Sequence, residues 1–114
     1  NKVDNVIGFV DYNGQQIDGS TDQVLSLGNL KAKWEAFGWM VLTTDGNDMA
    51  ALNATIDEAK SKSRNGVPIM VLMTTAMGKG VDFMEGTHKW HGVAPNDEEL
   101  SRALAQLEET LGDY

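Results

Sequence analysis

Three short apolar runs, Val6-Ile7-Gly8-Phe9-Val10, Trp39-Met40-Val41-Leu42 and Val67 to Met73, alternate with stretches of helical periodicity. This alternation limits the possible folds more than any other feature. An apolar run bounded by turn residues reads as a strand buried on both faces. Between the first two runs, Leu30 to Phe37 sets Leu30, Trp34 and Phe37 at helical spacing, with Gly38 placed as the stop. Between the second and third, Asn47 or Asp48 caps a helix predicted to reach about Lys62, its buried stripe formed by Ala51, Leu52, Ile56 and Ala59. A last helix is predicted after Asn96 or Asp97. Glu98 and Glu99 lie in its first turn, and Leu100, Ala103, Leu104, Leu107 and Leu111 form its apolar stripe. Strands joined by helices run parallel, so the class is α/β. Ligands of such sheets bind beyond the carboxyl ends of the strands, here Asp11–Asn13, Thr43–Asp45 and Thr74–Gly80.

At 114 residues, 41% of them hydrophobic, the chain is one domain or less and can build a core. Its opening, almost directly on a strand and without an initiator Met, points to a piece of something longer. Cysteine is absent, which removes disulfides and thiolate metal sites and fits a reducing, cytoplasmic setting. A formal charge of −8 argues against nucleic-acid binding, which needs a basic footprint. No apolar run approaches the roughly twenty residues of a membrane span, so no membrane partner is expected.

Two segments beyond strand ends are candidates for chemistry. In Asn13-Gly14-Gln15 an Asn carboxamide oxygen and a backbone carbonyl two residues later can face one hard cation. Two neutral oxygens hold Mg2+ poorly, so a carboxylate and phosphate oxygens must come from elsewhere. Asn-Gly also reads as a plain turn. The second segment runs from Met77-Gly78-Lys79-Gly80 to Trp90-His91-Gly92. Its glycines allow close backbone approach to a ligand, and His91 can donate to a phosphate or sugar oxygen. Equally, Lys79 can be solvated and His91 hydrogen-bonded beside Trp90. The stretch from Thr74 to Pro95 has little periodicity and reads as a long functional loop. Trp34, Phe37 and Trp39 read as core aromatics around a helix end, and Met40, Met70 and Met73 as core filler. The acid pairs Glu98-Glu99 and Glu108-Glu109 read as solvated helix faces.

Taken together, the two segments resemble transketolases. Val10-Asp11-Tyr12-Asn13-Gly14-Gln15-Gln16-Ile17-Asp18-Gly19 is similar to the stretch that closes the thiamine-diphosphate motif of that family. Lys33 to Trp39, Asp45-Gly46, Gly78-Lys79-Gly80-Val81-Asp82-Phe83-Met84-Glu85 and Trp90-His91-Gly92 follow in family order. Ala94 to Leu100 resembles the end of the N-terminal subunit in split, two-gene members.

The resemblance implies a parallel-sheet fragment of the thiamine-diphosphate-binding fold with helices on both faces. The whole chain, residues 1–114, would be the C-terminal part of the diphosphate-binding domain. It also implies transfer of a two-carbon ketol unit between sugar phosphates, with thiamine diphosphate and Mg2+ or Ca2+. Asn13 and the backbone oxygen of Gln15 would ligate the metal. Ile17 would pack on the cofactor, and His91 would be the catalytic residue that reaches both the diphosphate and the sugar. Met77 stands where lysine-rich versions of the glycine loop carry Lys. The Gly-Asp-Gly segment with the third metal ligand, the catalytic Glu and the substrate-binding arginines all lie outside this sequence. The chain is therefore expected to be inactive alone. Its partners would be the remaining N-terminal segment and a C-terminal pyrimidine-binding subunit, in a homodimer or heterotetramer. Dihydroxyacetone synthase, deoxyxylulose-phosphate synthase, a sulfosugar transketolase and a non-catalytic interaction module of the same fold are the alternatives.

Overall fold

The computed structural model describes residues 2–108. Its centre is a parallel sheet of β1 (Ile7–Tyr12), β4 (Met40–Asp45) and β5 (Ile69–Thr74), with β5 in the middle. The register places Ile7 and Met40 on either side of Ile69, and Tyr12 and Asp45 on either side of Thr74. The carboxyl ends of the three strands are therefore level. Beyond them, β2 (Gln15–Gln16) and β3 (Gly19–Ser20) form a small antiparallel hairpin that runs into a helical turn, α1 (Thr21–Val24).

Two longer helices cover the sheet. The first, α2 (Leu30–Ala36), is capped by the Asn29 side chain, which accepts from the Ala32 N–H at 2.9 Å. The second, α3 (Met49–Lys62), is capped by Asp48, which accepts from the N–H groups of Ala50 and Ala51. The chain passes from β1 across to β4 and then back to β5. Right-handed crossovers in opposite directions put the connecting helices on opposite faces of the sheet. The packing agrees. Ala59 of α3 sits on Ile69 and Val71, with Ile7, Met40, Leu42 and Met73 around it, all on one face. On the other face Trp34 meets Trp39 edge to face, centroids 5.1 Å apart, and Trp39 lies beside Gly8 and Met70.

Several expectations need correction. Only the middle strand is buried on both faces. Val6–Val10 reads as a fully buried strand, but among the described residues β1 is at the sheet edge and Phe9 is 47% exposed. Strand order decides this, and apolarity carries no record of it. Phe37 is not a core residue: it caps α2 and is 81% exposed. The turn at Gly38, with φ of 85°, folds the chain back so that Trp39, not Phe37, reaches Trp34.

The last helix, α4 (Asp97–Leu104), has the predicted cap at Asn96, whose side chain and that of Glu99 each accept from the other residue's backbone N–H. Glu99 is thus a capping residue and not merely a solvated acid. The α4 stripe is largely exposed at Leu100, Leu104 and Leu107, with only Ala103 buried; Leu111, like Glu109, lies outside the described residues. Besides Ala103, polar and cation–π contacts dock this segment. Gln106 pairs with the Asp82 N–H and carboxylate at 2.8 and 2.9 Å, and the Arg102 guanidinium lies 4.7 Å from the Phe83 ring centroid.

Candidate metal and cofactor site

The site begins where β1 ends. After Tyr12 the chain turns through Asn13 and Gly14, the latter with φ of 70°, which glycine adopts without steric cost. The Asn13 Oδ1 accepts from the Gln15 N–H at 2.9 Å, an Asx turn. The Gly14 carbonyl accepts from the Thr21 backbone N–H at 2.9 Å and from its hydroxyl at 3.4 Å, and Thr21 is buried. These bonds anchor both ends of the β2–β3 hairpin over the sheet. Ile17 and Asp18 form the hairpin tip, which leaves Ile17 72% exposed. The sequence shows this stretch only as a polar loop, because two-residue strands carry no periodicity.

The opposite wall comes from the glycine segment, and it is ordered by its own bonds. Gly86 donates to the Met77 carbonyl at 2.9 Å, Val81 to Gly78 at 3.1 Å, and Met84 and Glu85 both to Val81 at 2.9 Å. Glu85 closes the loop from outside by accepting from the Gly80 N–H at 3.1 Å and from Lys79 Nζ at 3.3 Å. The Gly80 N–H, then the Lys79 hydrogen bond and charge, hold the Glu85 carboxyl below its ordinary pKa. The chain then enters a 3-10 turn, His88–Trp90, capped by the Thr87 hydroxyl. Trp90 fixes this turn by donating to the Phe83 carbonyl at 3.0 Å and packing edge to face on its ring. His91 follows at the end of the turn and is exposed. The long stretch predicted to lack structure is thus a sequence of tight turns.

These two walls enclose a groove of about 450 Å³, lined by Asn13, Gln15, Gln16, Ile17, Asp18, Met77 and His91. All of the site residues expected from sequence meet there. Met77 comes from the candidate glycine segment, whose Lys79 lines a different recess; Gln16 and Asp18 are additions, and the signal for Asp18 is its place beside Ile17 in the same motif. Across the groove, Gln15 Nε2 donates to the Gly86 carbonyl at 3.3 Å. A separate recess of about 560 Å³ lies over the ends of β4 and β5, lined by Thr43, Thr44, Asp45, Asn47, Thr74, Thr75, Ala76 and Lys79. Two of its side chains bond backbone within it: Asp45 accepts from the Asn47 N–H, and Asn47 from the Ala76 N–H, both at 2.8 Å.

The first groove fits an anionic cofactor held through a hard cation. Its size is in the usual range for a small-molecule site. The Asn13 oxygen has a second lone pair beyond the one engaged by Gln15, and amide and backbone oxygens suit Mg2+ or Ca2+. Among the described residues no Lys or Arg lines the groove, and Lys79 is turned to Glu85. From this chain a bound diphosphate would therefore receive hydrogen-bond donors and metal ligands, but no Lys or Arg charge. Among the described residues no cluster of three or more His, Cys, Asp or Glu could hold a metal alone. An exposed isoleucine at the rim gives an apolar ring system a surface to lie against.

Comparison with known proteins supports the same reading of the fold. Residues 1–112 match the family described as "Transketolase, thiamine diphosphate binding domain". The chain is 34% identical over 110 residues to one subunit of an apulose-4-phosphate transketolase from Phocaeicola vulgatus, covering 96% of this chain and 38% of that protein. It is 38% identical over 107 residues to a 6-deoxy-6-sulfo-D-fructose transketolase subunit from a Clostridium species, covering 94% of this chain and 38% of that protein. The crystal structure of a transketolase from Campylobacter jejuni superposes with a TM-score of 0.81 at 31% identity, over 92% of this chain and 16% of that one. The chain thus spans well under half the length of these relatives. With the family match running nearly end to end and the sheet superposing on a solved member, the chain belongs to the transketolase family, within its thiamine-diphosphate-binding domain.

Proposed function

We propose that this chain forms the C-terminal part of the diphosphate-binding domain of a transketolase and supplies half of its metal and diphosphate cradle. The observation that carries the proposal is the convergence of Asn13, Gln15, Ile17 and His91, drawn from segments more than seventy residues apart, on one groove beyond the sheet. Asn13 would offer its carboxamide oxygen to Mg2+ or Ca2+, and Gln15 its backbone carbonyl. Ile17 would pack against the cofactor, and His91 would donate to the diphosphate and to the sugar. Thiamine diphosphate, when bound, supplies the carbanion chemistry by which a two-carbon ketol unit moves between phosphorylated sugars. The chain's own task is to hold the cofactor and present a hydrogen-bond donor to the substrate.

Two neutral oxygens leave the cation short of charge, so a segment carrying Gly-Asp-Gly would add a carboxylate. A pyrimidine-binding subunit would add the Glu that works on the cofactor ring. The functional unit is then a homodimer or heterotetramer placed in the cytoplasm; that two relatives are described as subunits supports a partner chain. The names of those two relatives also make sugars other than the common pentose and hexose phosphates good candidates; a substrate panel on the assembly would choose among them. The retention of Asn and His at the two positions that meet in the groove speaks against a non-catalytic module of the same fold.

The test is thermal unfolding of the complete assembly with and without thiamine diphosphate and Mg2+. A ligand bound only by the native state stabilises by about 2.7 kcal/mol at a hundred times its dissociation constant. That stabilisation should be present in the wild type and absent in Asn13→Ala. Equal stabilisation in both would remove Asn13 from the site.

A further inference from the structure

We infer that the Gln15 side chain is a latch that ties the metal-side hairpin to the glycine loop, and that Gln15 is thereby a positioning residue for the cofactor. The inference rests on the proposed cofactor site but concerns a different atom from the proposed metal ligand: the side-chain amide, not the backbone carbonyl. The groove has two walls, the hairpin of residues 13–18 and the loop bearing Met77 and His91. Among the described residues, a single hydrogen bond joins residues 13–18 to residues 77–91, from Gln15 Nε2 to the Gly86 carbonyl at 3.3 Å.

Each end of that bond is itself fixed. On the hairpin, the Gln15 N–H donates to Asn13 Oδ1, and Gln15 is paired with Ser20 in the ladder. On the loop, the Gly86 N–H donates to the Met77 carbonyl at 2.9 Å, so the residue that receives the latch also holds a residue lining the groove. Its neighbour Glu85 clasps the Gly80 N–H and Lys79. A continuous path of hydrogen bonds therefore runs from Asn13 through Gln15 and Gly86 to Met77. Without the latch, the two walls lose their one direct hydrogen bond, and cofactor binding must order them against each other. The position needs a donor of this length. An ionised Glu has none, and an apolar residue leaves the Gly86 carbonyl without this partner.

Gln15→Met keeps the side-chain size and the backbone carbonyl but removes the donor. In the assembled holoenzyme it should raise the KM for thiamine diphosphate about three- to tenfold, the range expected for one net hydrogen bond, and by more than it lowers kcat. In the cofactor-free assembly, hydrogen exchange should quicken across residues 77–91 and stay unchanged across β5, which separates loosening of the loop from general misfolding. Glu85→Gln, which weakens the clasp beside the same acceptor, should quicken the same amides. The double variant should fall short of the product of the two single effects, because both loosen the one hydrogen-bonded loop of residues 77–91. Unchanged exchange in Gln15→Met, or fully additive effects, overturns the latch. Quickened exchange in an assembly whose wild type binds no thiamine diphosphate upholds the latch and overturns the cofactor reading instead.

Discussion

Gly78 is where the loop over the groove has least room, and replacing it with alanine tests how that loop is built. A Cβ at Gly78 would lie 2.6 Å from the Met84 carbonyl oxygen and 2.7 Å from both its carbonyl carbon and its Cβ. All three are backbone atoms or fixed to backbone, so no side-chain rotation relieves the clash. Met84 cannot simply retreat, because its N–H and that of Glu85 both bond to the Val81 carbonyl. The φ of 68° adds a second cost, about 1–2 kcal/mol for a residue with a Cβ in the left-handed region. Overpacking against fixed neighbours adds about 1–3 kcal/mol. Gly78→Ala should therefore destabilise the loop by about 2–5 kcal/mol, from these two terms.

Gly66 is the control. Its φ is 89°, but nothing lies within 4 Å of its ideal Cβ, so Gly66→Ala carries the backbone cost alone. The assay is hydrogen exchange at the amides of Val81, Met84, Glu85 and Gly86, with thermal unfolding of the same assembly. Gly78→Ala should lose protection at those four amides and most of its stabilisation by thiamine diphosphate. Gly66→Ala should lose neither. Equal losses in the two variants would trace the effect to general destabilisation and refute close approach to Met84 as its cause.

Two further predictions follow from caps and charge. Because the folded-state pKa of Glu85 is lowered, its clasp is fully present above the ordinary carboxyl value of 4.5 and is lost as pH falls through the depressed one. Protection of the Gly80 amide, corrected for intrinsic exchange, should fall on acidification in the wild type and stay flat in Glu85→Gln; matching profiles would assign the acid response to another group. Asn96→Ala removes one of two reciprocal capping bonds of α4 and should cost about 0.5–2 kcal/mol, read as lost protection at residues 99–104, with Asn96→Asp restoring most of it.

The strand, helix and cap pattern was legible because it depends on residues close together in the chain. Gly38, Asp48 and Asn96 punctuate the helices through local hydrogen bonds and backbone angles, and Ala51, Leu52, Ile56 and Ala59 repeat at the helical period. Asn13, Gln15, Ile17 and His91 are singled out by family resemblance, and the fold brings them to one groove. What the sequence left open was everything set by contacts between distant segments. Strand order put β5 in the middle and left Phe9 at an edge, the fold-back at Gly38 set Trp39 on Trp34 and left Phe37 in solvent, and Gln106 and Arg102 tied the end of the chain to the glycine loop while the α4 leucines stayed exposed. Apolar periodicity states which residues gain from burial, but only the packed chain decides which of them find a partner. The bond from Gln15 to Gly86, 71 residues apart, is of that second kind: no local pattern in either segment encodes it.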